Sequence, residues 1–157
     1  MTEPLSWLAV QYIKGRMSTI TPADGYYNDF STARVLDDRS QIDASEGVGT
    51  YLLVVATDFE PTGESGGRAS QVYSEDMSLL IEYGIRRDPS RSPELQVHRA
   101  RADVIRALRT PLRNQVRGLI RIDIGTSSIV DTPEDSTLII AQVQARAGLS
   151  DTTPPAF

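Results

Sequence analysis

Hydrophobic positions along this chain alternate between two periods, and the changes divide it into helices and strands. From Pro4 to Ile20, the side chains of Leu5, Leu8, Ala9, Tyr12, Ile13, Met17 and Ile20 fall on one broad face at a helical period. A helix is predicted there, with Pro4 in its first turn and Thr2 or Glu3 serving the exposed amides. Thr21-Pro22-Ala23-Asp24-Gly25 breaks it. Trp7 falls off the apolar face.

Three strands are expected next. Tyr26 to Val35 is short and mixed. Thr50 to Phe59 is apolar on both faces, with Tyr51, Leu53 and Val55 opposing Leu52, Val54 and Ala56, and reads as a central strand covered on both sides. In Tyr73 to Ile85, Tyr73, Met77, Leu79, Ile81, Tyr83 and Ile85 share one face, broken only by Glu75, so alternation favours a strand over a helix. Between these two, Glu60 to Ser70 reads as a long mobile loop.

Ser92-Pro93-Glu94 is a helix start made of a capping hydroxyl, a first-turn proline and a first-turn acid. The helix runs to about Thr110, before Pro111, with Val97, Ala100, Val104, Ile105, Ala107, Leu108 and Leu112 as its apolar face. Strands over Leu119–Ile124 and Thr137–Ala147 follow, joined by the turn-rich segment 126–136. The expected order is α-β-β-β-α-β-β. The predicted class is α+β, a single domain over residues 1–147 with a mostly antiparallel or mixed sheet flanked by two helices. Residues 148–157, with Pro154-Pro155, are expected to form an extended C-terminal arm.

Composition narrows the chemistry. The 157 residues contain no cysteine and one histidine, His98. Disulfides, thiol nucleophiles and paired-histidine metal motifs are therefore excluded. No apolar run approaches the roughly 18–20 residues that cross a bilayer. The acidic opening Met1-Thr2-Glu3-Pro4 is not that of a signal peptide. No metal or cofactor is expected.

Charge is segregated. Residues 86–121 hold ten arginines against three acids, whereas the rest of the chain holds six basic and 18 acidic residues. Two such patches can meet head to tail between copies. Arg99, Arg106 and Arg113 recur every seven residues on the helix over 94–113. This stripe is a candidate subunit interface or, alternatively, a nucleic-acid-binding face. Arg101 falls inside the apolar arc and is expected to pair with an acid.

Other motifs read plainly. Gly63-Glu64-Ser65-Gly66-Gly67 fits G-x-S-x-G, but a nucleophile elbow needs a helix after it, and the following segment reads as a strand. The P-loop lysine is missing from these glycines. His98, at the edge of the apolar face, reads as a partly buried packing residue. Asp37-Asp38 and Glu134-Asp135 read as solvated loops.

Taken in order, several segments resemble the tail-terminator proteins of long-tailed bacteriophages, which cap and complete the tail tube. They are the opening helix ending in Gly15-Arg16-Met17-Ser18-Thr19-Ile20, the Asp24-Gly25-Tyr26 turn, the Tyr51–Phe59 strand, Leu80-Ile81-Glu82-Tyr83-Gly84, and Ala102-Asp103-Val104-Ile105-Arg106-Ala107-Leu108. The resemblance covers about residues 5–147. It implies a structural virion protein rather than an enzyme, assembled in the host cytoplasm as a homohexameric ring. Such a ring ends tube growth and joins the head–tail connector, and related neck and head-completion proteins share similar patterns. Implied partners are further copies of the chain, the tail-tube protein and the connector or neck protein, with DNA passing through the lumen without specific binding. Trp7, Arg99, Arg101, Arg106 and Arg113 are then candidates for the subunit interface. Glu60, Glu64 and Arg68 are candidates for a docking loop, and Pro154, Pro155 and Phe157 for an arm contact. Glu60, Glu64, Asp131, Glu134 and Asp135 are candidates for an acidic lumen lining that repels phosphate.

Overall fold

The computed structural model of the chain describes residues 3–38, 49–66, 71–110, 116–130 and 137–153. Its elements are α1 (Leu5–Ser18), a 3-10 turn (Pro22–Asp24), β1 (Arg34–Leu36), β2 (Tyr51–Gly66), β3 (Gln71–Arg86), α2 (Pro93–Arg109), β4 (Leu119–Val130) and β5 (Leu138–Thr153). The five strands form one mixed sheet in the order β1-β2-β3-β5-β4. β1 lies parallel to β2, and every other neighbouring pair is antiparallel. The predicted α+β class and element order are those observed.

Alternation along β3 decides which face of the sheet is covered. Met77, Leu79, Ile81, Tyr83 and Ile85 point to one side and are buried. Opposite them stand Leu52 and Val54 of β2 and Ile139, Ala141, Val143, Ala145 and Ala147 of β5, all buried in the same cluster. α1 and α2 close this face with Ala9, Val10, Ile13 and Met17 and with Val97, Ala100, Val104, Ala107 and Leu108. The small alanines on β5 let the helices approach closely, and the larger side chains on β3 fill the space beside them.

The other face is more polar and holds a smaller cluster, Leu36, Tyr51, Leu53 and Leu138. Tyr51 stands opposite Gly84. A Cβ at Gly84 would overlap Tyr51 Cε1 and lie 2.7 Å from Cδ1, so the glycine is the seat of the tyrosine ring. Beside it, buried Glu82 accepts hydrogen bonds from the Tyr51 hydroxyl at 2.9 Å and Gln142 Nε2 at 2.7 Å.

Several boundaries differ from expectation. Tyr26–Ala33 is not strand; only Arg34–Leu36 joins the sheet. Buried Asp103 takes the backbone amides of Tyr27 and Asn28, and Asp29 takes that of Ser31, so these donors are withdrawn from any ladder. Glu60–Gly66 is not loop but the continuation of β2, paired with Gln71–Asp76 of β3. Coverage of β2 on both faces stops at Val54, and Ala56–Gly63 is exposed. β4 runs on to Val130 past a register shift between Ile124 and Ser127. β5 runs on to Thr153, so residues 148–153 of the expected arm belong to the sheet. Pro154, Pro155 and Phe157 lie outside the described residues.

Two outcomes follow from this packing. Gly84→Ala should destabilise by about 1–3 kcal/mol through overpacking against Tyr51, whereas Gly63→Ala, where an added Cβ meets nothing within 4 Å, should leave the denaturant midpoint nearly unchanged. Burial pushes the Tyr83 phenol up from 10 to about 12. The native state therefore holds a proton that the unfolded state releases, and stability falls as pH rises from about 10 through about 12. Among the described residues Tyr83 Oη has no hydrogen-bond partner. Tyr83→Phe should therefore melt at or above the parent temperature at neutral pH and lose this alkaline component in thermal scans.

Candidate interaction surfaces

Helix α2 carries the arginines singled out from the sequence. Ser92 caps it, with Oγ 3.5 Å from the Leu95 amide, and Pro93 and Glu94 open its first turn. Its apolar arc against the sheet leaves Arg99, Arg101, Arg106 and Arg109 around the outer side, but they do not form one open stripe. Arg106 donates to the carbonyls of Gly25 at 2.9 Å and Asp24 at 3.3 Å and lies 4.3 Å from the Tyr26 ring centre. Arg99 lies 5.1 Å from the ring centre of Tyr27. Both clamp the loop after the 3-10 turn, and Gly25 closes that turn at a φ of 86°, a conformation glycine adopts without strain. Arg113 lies outside the described residues.

Arg101 departs from expectation. It is exposed and makes no ion pair among the described residues, although its charge is felt at Tyr83. Its long stem carries the guanidinium off the apolar arc into water, which removes the need for a buried partner. His98 is also not a packing residue: its side chain is 63% exposed, 3.7 Å from Glu94 Oε1 one turn earlier. α2 is rotated so that Val97 and Ala100 meet the core and His98 faces solvent.

Among the described residues, four buried polar side chains go beyond the sequence reading. Asp103 accepts from Tyr27 N at 3.0 Å, Asn28 N at 2.8 Å and Asn28 Nδ2 at 2.9 Å, tying the loop to α2. Gln96 accepts from Asp88 N and donates to the carbonyls of Asp88 and Arg91, closing the connection between β3 and α2. Lys14, the single lysine, is buried and pairs with Asp37 at 2.9 Å, with Trp7 stacked 5.9 Å from its ammonium. Glu82 is the fourth. Asp103 and Lys14 had a signal in the sequence, since each sits on the apolar side of its helix next to core positions.

On the sheet face away from the helices, Arg121 reaches from β4 across β5 to β3. It pairs with Asp76 at 2.8 Å and Asp123 at 2.9 Å, with Arg146 4.0 Å from Asp76. Gly148 lies between, and a Cβ there would come 2.7 Å from Arg121 Nη1, so the glycine leaves the guanidinium its path. The carboxylates of Asp123 and Asp76 hold Arg121 protonated even more firmly than usual. Next to this network is an open concavity of about 730 Å³ lined by Thr57, Asp58, Ser78, Leu80, Gln144 and Arg146.

Of the candidate docking residues, Glu60 is exposed on β2 and Glu64 is a backbone member of the same strand opposite Tyr73; Arg68 lies outside the described residues. Ser65 is likewise within β2, opposite Val72, so the described backbone on both sides of G-x-S-x-G is strand and lacks the helix an elbow requires. Asp131, Glu134 and Asp135 lie outside the described residues. Trp7 is 49% exposed, on the outer side of α1. Among the described residues no cluster of acids and histidines could hold a metal ion, and no helix is long and apolar enough to cross a membrane. Comparison with protein-family models and with curated proteins finds no match to the chain.

Asp103→Ala should strand two backbone donors and cost about 1–3 kcal/mol in denaturant unfolding. Faster amide exchange at Tyr27 and Asn28 than in the parent would locate the loss in the clamped loop.

Proposed function

We propose that the chain is a structural subunit of a bacteriophage tail, one that closes the head-proximal end of the tail tube and offers the surface on which the connector docks. The observation that carries this reading is the paired extension made by the far ends of β2, β3 and β5. β2 pairs with β3 as far as Gly66 opposite Gln71, and β3 pairs with β5 as far as Thr153. A stiff ribbon of this kind suits a docking element better than a loop, because little ordering entropy is lost when it binds. Its exposed outer strand carries Asp58 and Glu60, acids available to a basic surface on a partner.

The resemblance in segment order supports the same reading, and so does the division of charge. A nucleic-acid-binding stripe on α2 is less favoured, since Arg99 and Arg106 are engaged by Tyr27, Tyr26, Gly25 and Asp24 of their own chain.

The test is tube length. Purified protein added to polymerising tail-tube protein should shorten the tubes and decorate one end in electron micrographs. Virus lacking it should accumulate over-long tails unattached to heads. Normal-length tails joined to heads in its absence would overturn the proposal.

A further inference from the structure

The sheet ends in two edges that both carry exposed apolar side chains, near both ends of the strands. Among the described residues, five of the seven exposed large apolar side chains lie along them: Trp7, Val35 and Phe59 on the β1/β2 side, and Ile120 and Ile129 on β4. Following the register across the sheet, Val35, Leu52, Tyr83, Ala141 and Ile129 form one row. Phe59, Met77, Ala147 and Ile122 form another, and Ile120 lies between the next two rows along β4, those of Arg121 and Leu119, in the shift between them. The Val35 row thus ends on an exposed apolar group at both edges, while the Phe59 row ends on partly buried Ile122, with exposed Ile120 two residues further along β4.

We propose that these edges join head to tail between copies of the chain, the β4 edge of one copy lying antiparallel against the β1/β2 edge of the next, with Ile129 on Val35 and Ile120 in the groove beside Trp7 and Phe59. This specifies the self-association on which the proposed function rests. The backbone on the receiving side is open. β1 pairs only with Tyr51–Leu53, so among the described residues the outer side of β2 has no strand partner from Val54 onward, until Pro61 removes a donor. A groove of about 370 Å³ runs beside this stretch between α1 and β2, with Trp7, Val10, Val54 and Phe59 on its walls and Met77 at its floor.

Direction and charge fit the same placement. β4 runs antiparallel to β5, β5 to β3 and β3 to β2, so a copy carried along the sheet without turning presents β4 antiparallel to the β2 it meets. β1 projects one strand beyond β2, and the β4 register shift between Ile124 and Ser127 supplies a bend at the level where β1 ends. Exposed Asp58 and Glu60 lie on the receiving edge. On the β4 side are exposed Arg117 and, from α2 packed over β4 and β5, Arg101 and Arg109. Because the two patches are different surfaces at opposite edges, the contact is heterologous, as a ring requires.

The cysteine-free background gives a direct test with the full chain. Under mild oxidation, a mixture of Ile120→Cys and Phe59→Cys proteins, and one of Ile129→Cys and Val35→Cys, should each give at least tenfold more mixed dimer than Ile120→Cys with Val35→Cys, whose sites lie about 25 Å apart along the strands. Ile120→Glu and Phe59→Glu, both at exposed positions, should each sediment as monomer where the parent is associated, and their equimolar mixture should return a dimer, since each keeps one intact edge. A parent that remains monomeric to millimolar concentration, variants that associate like the parent, or equal cross-linking of matched and mismatched pairs would overturn the proposal. These measurements use purified chain alone, so their failure is distinguishable from a failure to set tail length.

Discussion

One-sided burial of β3 is the constraint from which the rest of the architecture follows. Its odd-numbered residues from Met77 to Ile85 need an apolar cover, which α1 and α2 supply together with Ile20 and Phe30 from the segment after α1. Because side chains alternate strictly along a strand, a slip of one residue would turn this whole set to the polar face and bring Ser78, Glu82 and Gly84 into the core. Register, helix placement and the positions of β2 and β5 are therefore fixed together. The buried alanines of β5 belong to the same constraint, since they set how near the helices lie.

The opposite face obeys a different rule. Among the described residues no helix covers it, and its polar groups satisfy one another. They do so through crossings at glycine: Tyr51 over Gly84 toward Glu82, and Arg121 over Gly148 toward Asp76. Exposed ion pairs of the Arg121 kind contribute little to stability, because water screens them. Their effect is to hold side chains flat, which leaves an open concavity beside them rather than a packed second layer.

Clamping of the Tyr26–Asn28 loop by Asp103, Arg99 and Arg106 connects fold and function. It uses two arginines of the basic segment internally, so the charge available to a partner shifts to Arg101, Arg109 and Arg117. Apolar groups exposed along both sheet edges complete a surface suited to repeated contact between copies. No chemical step is required of the residues involved; shape, edge hydrogen bonding and charge are enough for the assembly role proposed.

Much of the fold is legible in the residue pattern because it depends on period. The 3.6-residue arcs of α1 and α2, the alternation in β3 and the capping signal at Ser92-Pro93-Glu94 are local properties, and they determine the element types and their order. Strand lengths are not local. Glu60–Gly66, Ser127–Val130 and Gly148–Thr153 look like turn or arm by composition, yet they are strand because a neighbouring strand supplies hydrogen bonds at the right register. The same holds for Tyr26–Ala33, where Asp103, 75 residues away from Asn28, takes the amides a strand would need. The fate of each arginine was decided likewise: spacing put Arg99, Arg101 and Arg106 on a helix, but only packing brought Tyr26 and Tyr27 under two of them and left the third in water. Sequence periodicity determined which elements form, whereas partners distant along the chain decided where they end and which charges remain exposed, because a hydrogen bond or ring contact depends on position in space rather than on distance along the chain.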